Sequence, residues 1–128
     1  MAIKTSQLNA EREHRATAVL SFENEAGDRE TETVTVVFRG RSVASTRKLA
    51  DLSKNVDGYL WDDFLLAYLV RLEDAEGKPA VVDDDGAAVV LTKDILQTWD
   101  PDNLKALHDA IFEVINPNPS PSEASQTT

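Results

Sequence analysis

The chain has 128 residues, 41% of them apolar, with no cysteine and a formal net charge of −10. That length fits one domain with one core; the missing cysteines exclude disulfides and thiolate metal sites, and the acidity opposes non-specific binding to nucleic-acid phosphates. No apolar run reaches the roughly 20 residues that span a bilayer, and Met1 to Ala10 holds no apolar stretch of signal-peptide length, so a cytoplasmic protein is expected.

Residues 1–13 read as a polar N-terminal arm. From Arg15 to Glu23 the pattern alternates: Ala16, Ala18, Leu20 and Phe22 point one way, Thr17, Val19 and Ser21 the other. Period two predicts a half-buried strand. Gly27–Asp28 marks a turn, and a second alternating run follows, with Val34, Val36 and Phe38 opposed to Thr33, Thr35 and Val37. Two such runs around a short Gly-containing loop predict a β-hairpin ending at Gly40. An isolated hairpin is marginal in water, so this one must pack on another element.

Four cations cluster next, at Arg39, Arg41, Arg47 and Lys48. They stand in the balanced part of the chain: residues 1–48 carry eight Lys/Arg against seven Asp/Glu, residues 49–128 five against sixteen. The cluster reads either as a solvated strand end running into a helix start, or as a docking patch for an acidic partner or the acidic half of another copy.

Ser45 or Thr46 can cap a short helix carrying Leu49 and Leu52. Asp57–Gly58 breaks the chain. Trp61, Phe64, Leu65, Tyr68, Leu69 and Leu72 then recur at helical spacing, widened by Leu66, Ala67 and Val70. This predicts a central, most buried helix, with a short strand over Leu69 to Glu73 as the alternative for its end. Asp74 to Gly86 is acidic and loop-like, with turns at Gly77–Lys78–Pro79 and Asp85–Gly86. Val81–Val82 and Ala87–Leu91 flank the second turn as a minor hairpin. Thr92 can cap a short helix through Gln97. Asp100 at the N-cap, Pro101 in the first turn and Asp102 near the positive dipole end open a last helix. Leu104, Leu107, Ile111, Val114 and Ile115 line one of its faces, and Asn116–Pro117 stops it. Residues 116–128 hold three prolines, three serines and two threonines and read as a disordered tail. The expected fold is α+β: an N-terminal antiparallel hairpin packed on a small bundle of three to four helices, one domain over residues 14–115.

Most chemical motifs fail on spacing. Asp83–Asp84–Asp85–Gly86 lacks the calcium-loop ligands, since Val81 and Thr92 occupy the positions five before and six after the glycine. His14 and His108 have no metal spacing, and His108 reads as a helix-surface residue beside Asp109. No Gly-x-Ser-x-Gly elbow or phosphate-cradling glycine loop is present. Trp61 has the phase of a core residue. Trp99 precedes a helix cap, where it can staple into the helix or anchor an interface. No catalytic, cofactor-binding or metal residue is expected, and a non-enzymatic role is. The candidate protein-interaction residues are Phe38, Arg39, Arg41, Arg47, Lys48, Trp99 and Phe112, with contact through the hairpin at Phe38 or the last helix at Phe112.

The order of features from residue 33 to 120 resembles the tail assembly chaperones of siphovirus-type, long-tailed bacteriophages. The matching stretches are Val34–Thr35–Val36–Val37–Phe38–Arg39, the apolar Trp61 to Val70, the acidic Leu72 to Glu76 ending in Gly77–Lys78–Pro79, the helix Leu104 to Ile115, and Asn116–Pro117–Asn118–Pro119–Ser120. Val81 to Leu91 stands as an insertion, and Trp99–Asp100–Pro101 replaces the family's more usual Leu-Pro pair. The resemblance implies a chaperone that binds the tape measure protein and keeps it soluble while tail tube subunits assemble. It also implies action in the host cytoplasm and absence from the mature virion; charge, hydropathy and the failed motifs add the expectation of no cofactor and no nucleic-acid or membrane partner, and self-association is compatible with all of these. The alternatives are a phage tail or connector structural protein of the tail-completion type, or an unrelated small acidic protein-binding module.

Overall fold

A computed structural model describes residues 2–53 and 61–115. The fold is α+β, in the order α1 (Thr5–Leu8), β1 (Glu13–Glu23), β2 (Arg29–Arg39), α2 (Val43–Ser53), α3 (Trp61–Tyr68), β3 (Leu69–Glu73), α4 (Lys93–Leu96) and α5 (Pro101–Ile115). The break expected at Asp57–Gly58, the stop at Asn116–Pro117 and the tail over 116–128 lie outside the described residues.

The three strands form one antiparallel sheet with β2 in the middle. β1 and β2 pair from Glu13 opposite Arg39 to Glu23 opposite Arg29, so the hairpin is longer at both ends than the alternation alone predicts. Its loop is closed by Asn24, whose Oδ1 accepts the N–H groups of Ala26 and Asp28, while Gly27 takes φ +86°. The same five-residue turn recurs at Asp74–Lys78 and Asp83–Ala87. In each copy an Asn or Asp Oδ1 holds the N–H groups two and four residues on at 2.8–2.9 Å, and a glycine three residues on has positive φ. An Asx side chain mimics a backbone turn, and glycine alone enters the left-handed region without a Cβ penalty. The Asp83 carboxylate thus serves its own loop. The minor hairpin expected around it reduces to one bridge, Val82 opposite Ala88.

The arm at the N-terminus contains the helical turn α1 and then runs against the end of the hairpin. Ala10 lies so close to Gly40 that a Cβ there would drive into the Ala10 carbonyl oxygen, and Arg39 Nη1 donates to the Glu11 carbonyl at 3.0 Å. Helix α2 begins earlier than expected. Its cap is Ser42, whose Oγ accepts the Ser45 N–H at 3.0 Å while Ser45 Oγ accepts the Ser42 N–H at 2.8 Å. This reciprocal pair satisfies two first-turn donors, and Thr46 lies inside the helix.

The central helix α3 has eight residues and ends at Tyr68, and the chain enters β3 at the next residue, as in the strand alternative over Leu69 to Glu73. β3 pairs with β2 with a register shift between Val37 and Phe38, placing Leu72 opposite Val36 and Leu69 opposite Phe38. Strict alternation would put residues three apart on opposite faces. The bulge turns both leucines toward the helices, which is how a helically spaced pair is accommodated in a strand.

One sheet face carries the core. Ala18, Val34, Val36, Phe38 and Leu72 meet Phe64, Leu65 and Tyr68 of α3, Leu96 of α4, and Leu104, Leu107 and Ile111 of α5. Trp61 and Trp99 are partly buried against this cluster. The hairpin faces agree with the period-two expectation. Val114 does not follow its helical expectation; it is 41% exposed. Two carboxylates missed as structural elements, Asp62 and Asp63, are buried where α3 meets α4. Asp63 Oδ1 accepts from Lys93 Nζ at 3.0 Å and Asp62 Oδ2 from Gln97 Nε2 at 3.3 Å. Lys93 is held charged, its pKa raised first by the hydrogen bond to Asp63. Thr92 caps α4 as expected, its side chain accepting the Ile95 N–H. No helix among the described residues is long and apolar enough to cross a membrane.

Candidate protein-binding grooves

Helices α2 and α5 both pack on α3, and a groove of about 510 Å³ involves all three. α5 starts where Asp100 Oδ1 accepts the Asp102 N–H at 2.9 Å, with Pro101 in the first turn where no N–H is needed. That start sets the phase: Leu104, Leu107 and Ile111 enter the core, and His108 and Phe112, four apart, fall to the side. Their rings stack at 5.3 Å and 16°. Phe64 lies 4.5 Å from the His108 ring and 4.7 Å from Tyr68. Arg41, Thr46, Leu49 and Ile115 complete the lining. Phe112 is 37% exposed, so an apolar ring faces the opening.

His108 is therefore no helix-surface residue. Its side chain is 12% exposed, sandwiched by aromatic rings, with Nδ1 2.9 Å from Asp109 Oδ1. Asp109 also accepts from Lys105 Nζ at 2.7 Å. Its carboxyl is held below the ordinary aspartate value, first by the Lys105 hydrogen bond and then by His108. The i,i+4 stacking partner was legible as spacing, but not that α3 would close over the ring.

Two further clefts flank the sheet. One, of about 540 Å³, lies where α3 and β3 meet residues 79–91, lined by Leu65, Leu69, Val81 and Leu91 together with Lys48 and Arg71. The other involves Leu20, Phe22, Val82 and Trp99.

The sequence-predicted interaction residues are distributed unequally over these features. Phe38 has no solvent exposure and sits in the core under α3 and α5. It is corrected from a contact residue to a packing residue, because its strand face is the covered one. Arg39 is exposed and bound to the arm at Glu11. Arg41 and Arg47 line one shallow depression with Leu8 and Glu11, and Arg41 also reaches the aromatic groove beside Phe112. Lys48 lines the β3 cleft and Trp99 the third, so the basic quartet divides between surfaces. Arg41 and Phe112 are the pair the fold brings together.

The open face of the sheet holds a charged network that sequence reasoning missed. Glu73 accepts from Arg15 and Arg71, both at 2.6 Å, and Arg71 also reaches Glu13 at 3.2 Å. The residues come from β1 and β3, the two strands on either side of β2, and only strand register reveals them as neighbours. Arg71 holds both glutamates below their ordinary value chiefly through its hydrogen bonds. Among the described residues no group of three or more His, Cys, Asp or Glu is placed to hold a metal ion. No family model, no curated protein and no solved structure matches the chain.

Proposed function

We propose that this chain is a polypeptide-binding chaperone of the tail assembly type, holding the tape measure protein of a long-tailed phage soluble in the host cytoplasm while tail tube subunits assemble around it. The observation that carries the binding reading is the aromatic groove, in which Phe112 stands 37% exposed over Phe64, Tyr68 and Leu49. A solvent-facing aromatic beside a concave apolar floor and a cationic rim, here Arg41, is the arrangement of an anchor site for another chain. The net charge of −10 keeps a carrier dispersed when it is loaded with an apolar client. The choice of client rests on the family resemblance of residues 33–120. In this reading the chain performs no covalent chemistry and is released before the particle is complete.

The test is co-expression with the tape measure protein of a long-tailed phage. The wild-type chain should hold that protein in the supernatant. Phe112→Asp should lose most of this effect with its circular dichroism unchanged, whereas Val90→Asp, at a position 83% exposed and outside the groove, should keep it. A client equally insoluble with and without the chain, or recovery of the chain as a stoichiometric part of finished particles, would overturn the proposal.

A further inference from the structure

We propose that the outer edge of β1 is a self-complementary pairing surface for a second copy of this chain, and that Asn103 holds it shut. β1 lies at the sheet margin, with β2 as its paired neighbour among the described residues. From the first turn of α5, Asn103 donates Nδ2 to the Ser21 carbonyl at 2.8 Å, and its Oδ1 accepts the Ser21 N–H at 2.9 Å. Both peptide groups of Ser21 therefore point away from β2. Hydrogen-bonding direction alternates along an antiparallel strand, so those of Arg15, Thr17 and Val19 point outward too. The Asn103 carboxamide imitates a neighbouring strand at one residue and ends the edge there. Unpaired edges recruit other strands unless something blocks them.

The sequence of β1 names the recruit. Laid antiparallel on its own copy with Val19 opposite Val19, it puts Arg15 opposite Glu23 twice and Thr17 opposite Ser21 twice. On the other face Phe22 of each copy lies opposite Ala16 of the other. Val19 is 54% and Phe22 41% exposed in the single chain, and Arg15 keeps 53% of its side chain in solvent. Opposite charges and apolar pairs across a two-fold axis are what a closed dimer requires. The Thr17–Ser21 pairs of that register need the same N–H and C=O that Asn103 occupies, so one side chain per copy blocks both ends. This edge chemistry holds whatever the chain binds.

Sedimentation velocity over a concentration series tests it. Asn103→Ala should dimerise with a dissociation constant at least about tenfold below that of the wild type. Adding Glu23→Arg, which sets Arg against Arg twice, should return it to monomer. Where Asn103→Ala melts too low to measure, Asn103→Asp serves, because a carboxylate keeps the Ser21 N–H but cannot donate to its carbonyl. A folded Asn103 variant that stays monomeric, a dimer indifferent to Glu23→Arg, or a wild-type dimer dissolved by Glu23→Arg would each overturn the proposal.

Discussion

Val36 and Val37 are neighbours on β2, neither has any solvent exposure, and they are buried by unlike means. Val36 faces the helices and joins the apolar cluster of α3, α4 and α5. Val37 faces the other way, outside that cluster, with Arg15 and Arg71 as its lateral partners in register. Long arginine stems cover apolar surface while their guanidinium groups stay wet. Here Glu73 and Glu13 tether those groups. One face is sealed by packing that cannot rearrange cheaply, the other by flexible side chains held by charge. Full burial of a side chain thus says little about what its loss costs.

The largest effect should come from the packed face. Leu107→Ala leaves a hole in the apolar cluster between the sheet and the helices and should cost about 3 kcal/mol in denaturant unfolding. The paired substitutions sharpen the contrast: Val36→Ala should cost about 2 kcal/mol and Val37→Ala about 1 kcal/mol, because arginine stems can settle into the space. Equal losses would mean that the charged cover is as rigid as the helices.

A smaller effect separates the faces by pH. Glu13 and Glu73 have folded pKa values below their ordinary 4.5, with the Arg71 hydrogen bond as first cause. A depressed carboxylate contributes stability above its unfolded pKa and loses it as pH falls through the folded one. Stability should therefore drop as pH falls below 4.5, and Glu73→Gln should flatten that acid limb while Leu107→Ala leaves its slope intact. Smallest of all, raising salt should weaken the network through screening, shifting the melting temperature of the wild type more than that of Glu73→Gln.

The hairpin, its two faces and the start of α5 were legible because each depends on local chemistry: alternation of side chains, a turn marked by Gly27–Asp28, an aspartate followed by proline. The candidate site was legible in part. Phe112 was named from its amphipathic helix, whereas its neighbours Tyr68, His108 and Leu49 were read as ordinary core or surface positions. Phe38 was misplaced for the complementary reason. Alternation tells which residues share a face, but not which face another segment will cover.

Sequence alone thus settled the α+β class, the order of the strands in the hairpin and the turns at Gly27, Gly77 and Gly86, while the side chains of Asn24, Asp74 and Asp83 that close them in one repeated form came from the structure. Tertiary structure decided where α3 stops. Leu69 and Leu72 suit a helix by spacing, yet the far side of β2 offered hydrogen-bond partners, and unpaired backbone groups are costly to bury. The residues became β3, and a single bulge kept both leucines in the core.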